Sequence, residues 1–193
     1  MAPRVKRSII DNFIENHHMT KINAIDIKSG IIKTTIDVFD KMLSLNINYF
    51  EPDMPLSIDG KRIVGSVGFV GEAKGIISIQ MAYGFARFLT GSLLDIDLDE
   101  SANAEEVDDV IGELSNMIGG GLKSRLCDSG LSCTLSIPSI IYGSNFKMLS
   151  MNGATRTTCF FCYEKQPVIV ETSMKAEKQS VFSGSSPKKL LTS

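Results

Sequence analysis

Between Val107 and Leu122 the apolar residues fall at Val107, Val110, Ile111, Leu114, Ile118 and Leu122. Steps of three and four close one stripe along a helix and fit no strand, whose sides alternate at every residue. Asn103 stands at an N-cap position, Glu106 at the capping-box position, and Gly130 follows Leu126 as a helix closer. The spacing predicts a long helix over 104–127, around which the rest of the chain must fold. Inside it lies GELSNMIGGGLK, residues 112–123. Each glycine in a helix interior costs about 1 kcal/mol relative to alanine. Gly119, Gly120 and Gly121 therefore need a reason, and close packing against a sheet or another helix suits Gly119 and Gly121.

The other elements follow from the same periodicities. Ile32, Ile36, Phe39 and Leu43 predict a first amphipathic helix over 22–44. INYFEPDMPLSI, with two prolines, reads as a short extended segment. RIVGSVGFV and GIISIQM read as a hairpin, and AYGFARFLTGSLL as a short helix. LSCTLSIPSIIYG, ATRTTCFFCYE and PVIVETS supply three more extended runs. Strands grouped as hairpins, not alternating one by one with helices, define an α+β fold with a mainly antiparallel sheet packed with two long helices. Each long helix is followed by extended segments, which suggests a pseudo-two-fold duplication. Residues 1–20 read as a polar N-terminal arm, 21–172 as the domain, and 173–193 as a Ser/Lys-rich tail expected to be disordered.

Composition narrows the function. The chain has 193 residues, 43% hydrophobic, enough for one domain with a sizeable core. A formal net charge of −2 lacks the basic footprint of a nucleic-acid binder. No apolar run approaches the ~18 residues that suggest a membrane span. Arg4, Lys6 and Arg7 are followed by Asp11, Asn12, Glu15 and Asn16, which interrupt any secretory signal. A cytoplasmic location, reduced cysteines and no nucleic-acid or membrane partner are the expectations.

At about 100° per residue, with Val107 at zero, the stripe centres near 20°. By that count Asp109, Glu113, Asn116 and Gly120 fall between about 180° and 240°, on the face away from the core. An acid and an amide three residues apart are surface neighbours. A position without a side chain continues their face one turn on. The row is a shallow surface that another molecule could approach closely.

GELSNMIGGGLK resembles the signature helix of the CheX/CheC chemotaxis phosphatases. IVGSVGFVGEAKGIISIQM is similar to the family's central hairpin, LSIPSIIYG to the proline-bearing strand after the signature helix, and TTIDVFDKML to its N-terminal helix. The resemblance covers roughly residues 22–172 in the family's element order, and implies a CheC-like fold. One Glu-x-x-Asn helix is similar to CheX; CheC-type members usually carry two, and SGIIKTTIDVF in the first helix has none. The resemblance implies a phosphatase acting on the phospho-aspartate of a CheY-like response-regulator receiver. The receiver would supply the divalent metal and an active-site lysine, leaving this chain with no cofactor of its own. On this reading Asn116 orients the attacking water and Glu113 pairs with the receiver lysine. Asp109 and Gly120 are the candidate partner-contact positions, and a homodimer through the sheets is expected. The competing function is a binding module that docks a receiver or a flagellar switch component without hydrolysis. Retention of both Glu113 and Asn116 favours the enzyme.

Other constellations carry less chemistry. Cys159 and Cys162 form CFFC in an apparent strand, where positions i and i+3 face opposite ways, so packing is favoured over zinc. The two histidines, His17 and His18, both lie in the polar arm. Gly65 and Gly68 fall within a strand, where close backbone contact explains them better than a phosphate loop.

Overall fold

The computed structural model describes residues 26–54, 56–96, 104–144, 148 and 152–176. Along the chain these form α1 (Ile27–Leu43), β1 (Asn48–Phe50), β2 (Arg62–Gly71), β3 (Ala73–Ala82), α2 (Tyr83–Leu94) and α3 (Ala104–Asp128). β4 (Cys133–Leu135), β5 (Ser139–Gly143), β6 (Thr155–Tyr163) and β7 (Gln166–Ala176) follow. The seven strands make one sheet in the order β1-β6-β7-β3-β2-β4, with β5 also on β2. Every pairing is antiparallel. The α+β expectation holds, and the duplication is visible in that order. The strands β1, β2 and β3 that follow α1 and the strands β4, β6 and β7 that follow α3 take mirror-image places in it, in the same chain order.

Alternation along the strands decides which face meets the helices. Ile63, Val67 and Phe69 of β2, Ile77, Ile79 and Met81 of β3, and Cys159 and Phe161 of β6 join one core. Val107, Ile111, Leu114, Ile118 and Leu122 of α3, with Ile31, Val38 and Phe39 of α1, close that core from above. All six stripe residues of the signature helix are buried. α2 is held partly by aromatic stacking, Phe85 lying 5.9 Å from Tyr163 of β6, centroid to centroid.

Several boundaries differ from the sequence reading. α1 begins at Ile27 because Asp26 caps it, its carboxylate accepting from the Ser29 amide at 2.9 Å. LSCTLSIPSIIYG is two strands, since Pro138 has no amide to donate to a ladder. The tail cannot start at 173. β7 runs on to Ala176 between β3 and β6, with Ser173 and Met174 both buried. α3 ends as expected. Gly130 takes a left-handed φ of 76°, and the Leu131 amide donates to the Leu126 carbonyl at 2.9 Å. The Asn103 cap, the N-terminal arm with both histidines, and the tail beyond 176 lie outside the described residues.

Candidate functional site

α3 is fixed against its neighbours at positions where side chains are missing. A Cβ on Gly119 would stand 2.5 Å from Val67 Cγ2 of β2 and 3.4 Å from Ile77 Cγ2 of β3. From the strand side, a Cβ on Gly65 would meet the Ser115 hydroxyl and stand 2.8 Å from Ile111 Cγ2. Across the other flank, a Cβ on Gly121 would overlap the Thr34 side chain of α1. Gly119 and Gly121 are therefore the positions where the helix touches the sheet and α1. The Ser115 hydroxyl is buried and donates to the Ile111 carbonyl at 2.7 Å, so it needs no partner from the sheet.

The outward face is the one the wheel predicts. Asp109 and Glu113 are exposed, Asn116 is half-buried, and a Cβ at Gly120 would have nothing within 4 Å. Glu113 and Asn116 share one face a single turn apart, with their Cβ atoms ~5–6 Å from each other by helix geometry. Among the described residues neither side chain is engaged in a hydrogen bond or ion pair. Both heads are free to accept or donate to something that arrives. A carboxylate acts there as a pure acceptor, whereas the amide can accept and donate at once. The helix beneath is locked at Gly119 and Gly121, so the two groups sit on a rigid element.

Sequence reasoning missed the rim of this face. Pro138, between β4 and β5, lies with its Cβ 3.6 Å from where a Cβ on Gly112 would be. Gly112 precedes Asn116 by four residues, so the proline is seated next to the row. The Pro in LSIPSIIYG was the available signal, but only the fold shows which helix it touches. Asp108, one residue before Asp109, was also missed. Its Oδ1 is buried without a hydrogen-bond partner among the described residues. Burial, then the charges of Asp109 and Glu105, push its carboxyl above the usual range.

Cys159 is buried, with its thiol 4.0 Å from the Lys28 carbonyl, whereas Cys162 is only half-buried. Burial pushes the Cys159 thiol up to about 11. Among the described residues no three His, Cys, Asp or Glu side chains are grouped as metal ligands, and no helix is long and apolar enough to cross a membrane.

A single antiparallel seven-stranded sheet packed with helices is the fold of the CheC-like α+β proteins. The profile described as Chemotaxis phosphatase CheX matches residues 63–162, just over half of the chain. The chain belongs to that family. The chemotaxis protein CheX of Vibrio vulnificus is 23% identical over 78% of this chain and 97% of its own, with a TM-score of 0.67. A CheC-like superfamily protein from Shewanella sp. PV-4 is 22% identical over 79% and 99%, also at 0.67. The CheX of Borrelia burgdorferi, solved in complex with CheY, BeF3 and Mg2+, is 26% identical over 78% and 99%, at 0.66. No curated protein sequence matches the chain.

Proposed function

We propose that this chain hydrolyses the phospho-aspartate of a CheY-like receiver, with Asn116 orienting the attacking water and Glu113 fixing the docking register. The observation that carries the reading is the position of this pair, outward on a helix whose neighbouring glycines lock it to the sheet and to α1. The Borrelia relative, solved with CheY and a beryllium fluoride, supports a receiver as the partner class.

The chemistry asks little of this chain. Phosphoryl transfer needs an in-line nucleophile and stabilised charge, with little covalent work by the protein. The receiver's own metal and lysine neutralise the phosphoryl oxygens. Asn116 Oδ1 accepts from a water placed opposite the aspartyl oxygen, and its Nδ2 donates toward the phosphoryl group. The water oxygen bonds to phosphorus, the P–O bond to the aspartate breaks, and the water's proton leaves on inorganic phosphate. Because the amide is neutral, it adds no repulsion to a dianion. Positioning alone supplies up to ~7–11 kcal/mol in well-oriented reactions, so one held water accounts for a useful fraction.

Glu113 has a different task. A carboxylate beside a phosphoryl dianion is repelled, which argues against a general base. A charge-assisted hydrogen bond to the receiver lysine instead sets the register of the two surfaces. Asp109 and Gly120 extend the contact one turn to either side, and the missing side chain at Gly120 lets the receiver backbone come close. A homodimer through the sheets belongs to the same reading and leaves this face uncovered.

The test separates the two roles. A receiver carrying beryllofluoride and Mg2+ should bind Asn116→Ala nearly as well as wild type and bind Glu113→Ala more weakly. Equal loss of affinity in both variants would rule out this division of labour. Binding by wild type without faster phosphate loss would favour the docking-module alternative.

A further inference from the structure

Ile137 is the most exposed large apolar residue described, at 85%. Single exposed apolar side chains are common and mean nothing by themselves. This one differs in how it is held and in what stands beside it. The Ser136 amide donates to the Gly68 carbonyl at 2.9 Å, and the Gly68 amide donates back to the Ser136 hydroxyl at 2.8 Å. That hydroxyl in turn donates to the Ile137 carbonyl at 2.9 Å. On the other side Pro138, whose ring fixes φ, stands with its Cβ 3.6 Å from where a Cβ on Gly112 would be. Ile137 thus lies between a residue hydrogen-bonded to β2, Ser136, and a proline whose own φ is fixed. Little backbone freedom remains to be lost when something covers it.

The same contact places it. Gly112 is one turn before Asn116 on the same face, so the Ile137–Pro138 corner borders the Glu113/Asn116 row. Met117, exposed at 36%, follows Asn116 on the opposite flank of that row. The polar pair therefore lies between two apolar shoulders, one rigid and one adaptable. A polar centre with apolar shoulders is suited to a partner that brings charged groups ringed by apolar surface.

Resting on the receiver reading above, the geometry points to Ile137 as the affinity- and partner-determining contact of this site. It is a preformed apolar knob that buries against an apolar patch beside the receiver's phosphorylation pocket. It touches no reacting atom, so it acts on docking and leaves the chemical step alone.

The experiment uses the full chain as wild type, Ile137→Ala, Ile137→Glu and Asn116→Ala, with melting curves to show that the exposed substitutions fold. Affinity is read with a CheY-like receiver loaded with beryllofluoride and Mg2+, and turnover with the phosphorylated receiver. Fully burying an isoleucine corresponds to about 10- to 100-fold in affinity. Ile137→Ala should weaken binding and raise KM about 10-fold, and Ile137→Glu more, with kcat within about twofold of wild type. An unchanged Kd for Ile137→Glu overturns the proposal, as does absence of any receiver binding by wild type. A change in the solution mass of Ile137→Glu with receiver affinity intact also overturns it, since the knob would then be a contact between copies. Wild type that binds but does not speed phosphate loss removes the catalytic reading, while the Ile137 affinities still decide this one.

Discussion

Three adjacent glycines in one helix should respond to the same substitution in different directions. At Gly120 an added Cβ meets nothing within 4 Å, so Gly120→Ala gains only helix propensity, about 1 kcal/mol of stability. At Gly119 the same methyl arrives 2.5 Å from Val67 Cγ2, where carbon atoms sit best at about 3.5–4.0 Å. Forcing a methyl into a packed interface costs about 1–3 kcal/mol. Less the propensity gain, Gly119→Ala should be destabilised by roughly 1 kcal/mol. Gly121→Ala meets Thr34, with its Oγ1 at 2.7 Å, and that side chain is β-branched and stiff, so its sign should match Gly119. The spread of about 2 kcal/mol is about 30-fold in the folding equilibrium. Urea denaturation at constant m-value resolves it easily. The stabilised Gly120→Ala should nevertheless be slower on a phosphorylated receiver, because its methyl stands on the approach surface. Three variants moving the same way would refute the packing account of the signature helix. Gly120→Ala with full activity would refute the close approach.

Asp108 offers a test of electrostatics. Its native pKa is raised, so the folded state binds more protons than the unfolded state just above the ordinary value of 3.8. This contribution makes stability fall as pH rises through that window. Asp108→Asn should melt higher than wild type at pH 7 and no higher near pH 3; the opposite order would remove the assigned cause. Thiol accessibility is a second check. Cys127 is exposed, whereas burial pushes the Cys133 and Cys159 thiols up to about 11. At pH 8 iodoacetamide should modify Cys127 first and reach Cys133 and Cys159 only after unfolding. Early modification of Cys159, followed by mass spectrometry, would show that β6 is not packed as described.

The signature helix was legible because its pattern is local. Six apolar residues at helical spacing fix which side is buried, and therefore where Glu113, Asn116 and Gly120 point. The partners of its glycines were not legible, since Val67 and Thr34 come from distant parts of the chain. Gly112 shows the same limit more sharply. Nothing in the sequence ties it to Pro138, yet that contact places Ile137 at the rim of the site. Composition misled at the end of β7, where Ser173 looks like the start of the polar tail but is buried between two strands. The Asp26 cap is a single side-chain bond to the Ser29 amide, which apolar periodicity does not mark. The duplication was only suggested by the repeated helix-then-strands order, and the palindromic strand order makes it visible.

On the proposed mechanism Asn116 orders a water on the partner's phospho-aspartate. Its most direct test is the single-turnover loss of phosphate from a phosphorylated CheY-like receiver, at saturating concentrations of wild type and of Asn116→Ala. Saturation removes docking from the comparison and leaves the chemical step. Loss should be rapid with wild type and near the receiver's own rate with Asn116→Ala. Equal acceleration by both would contradict it.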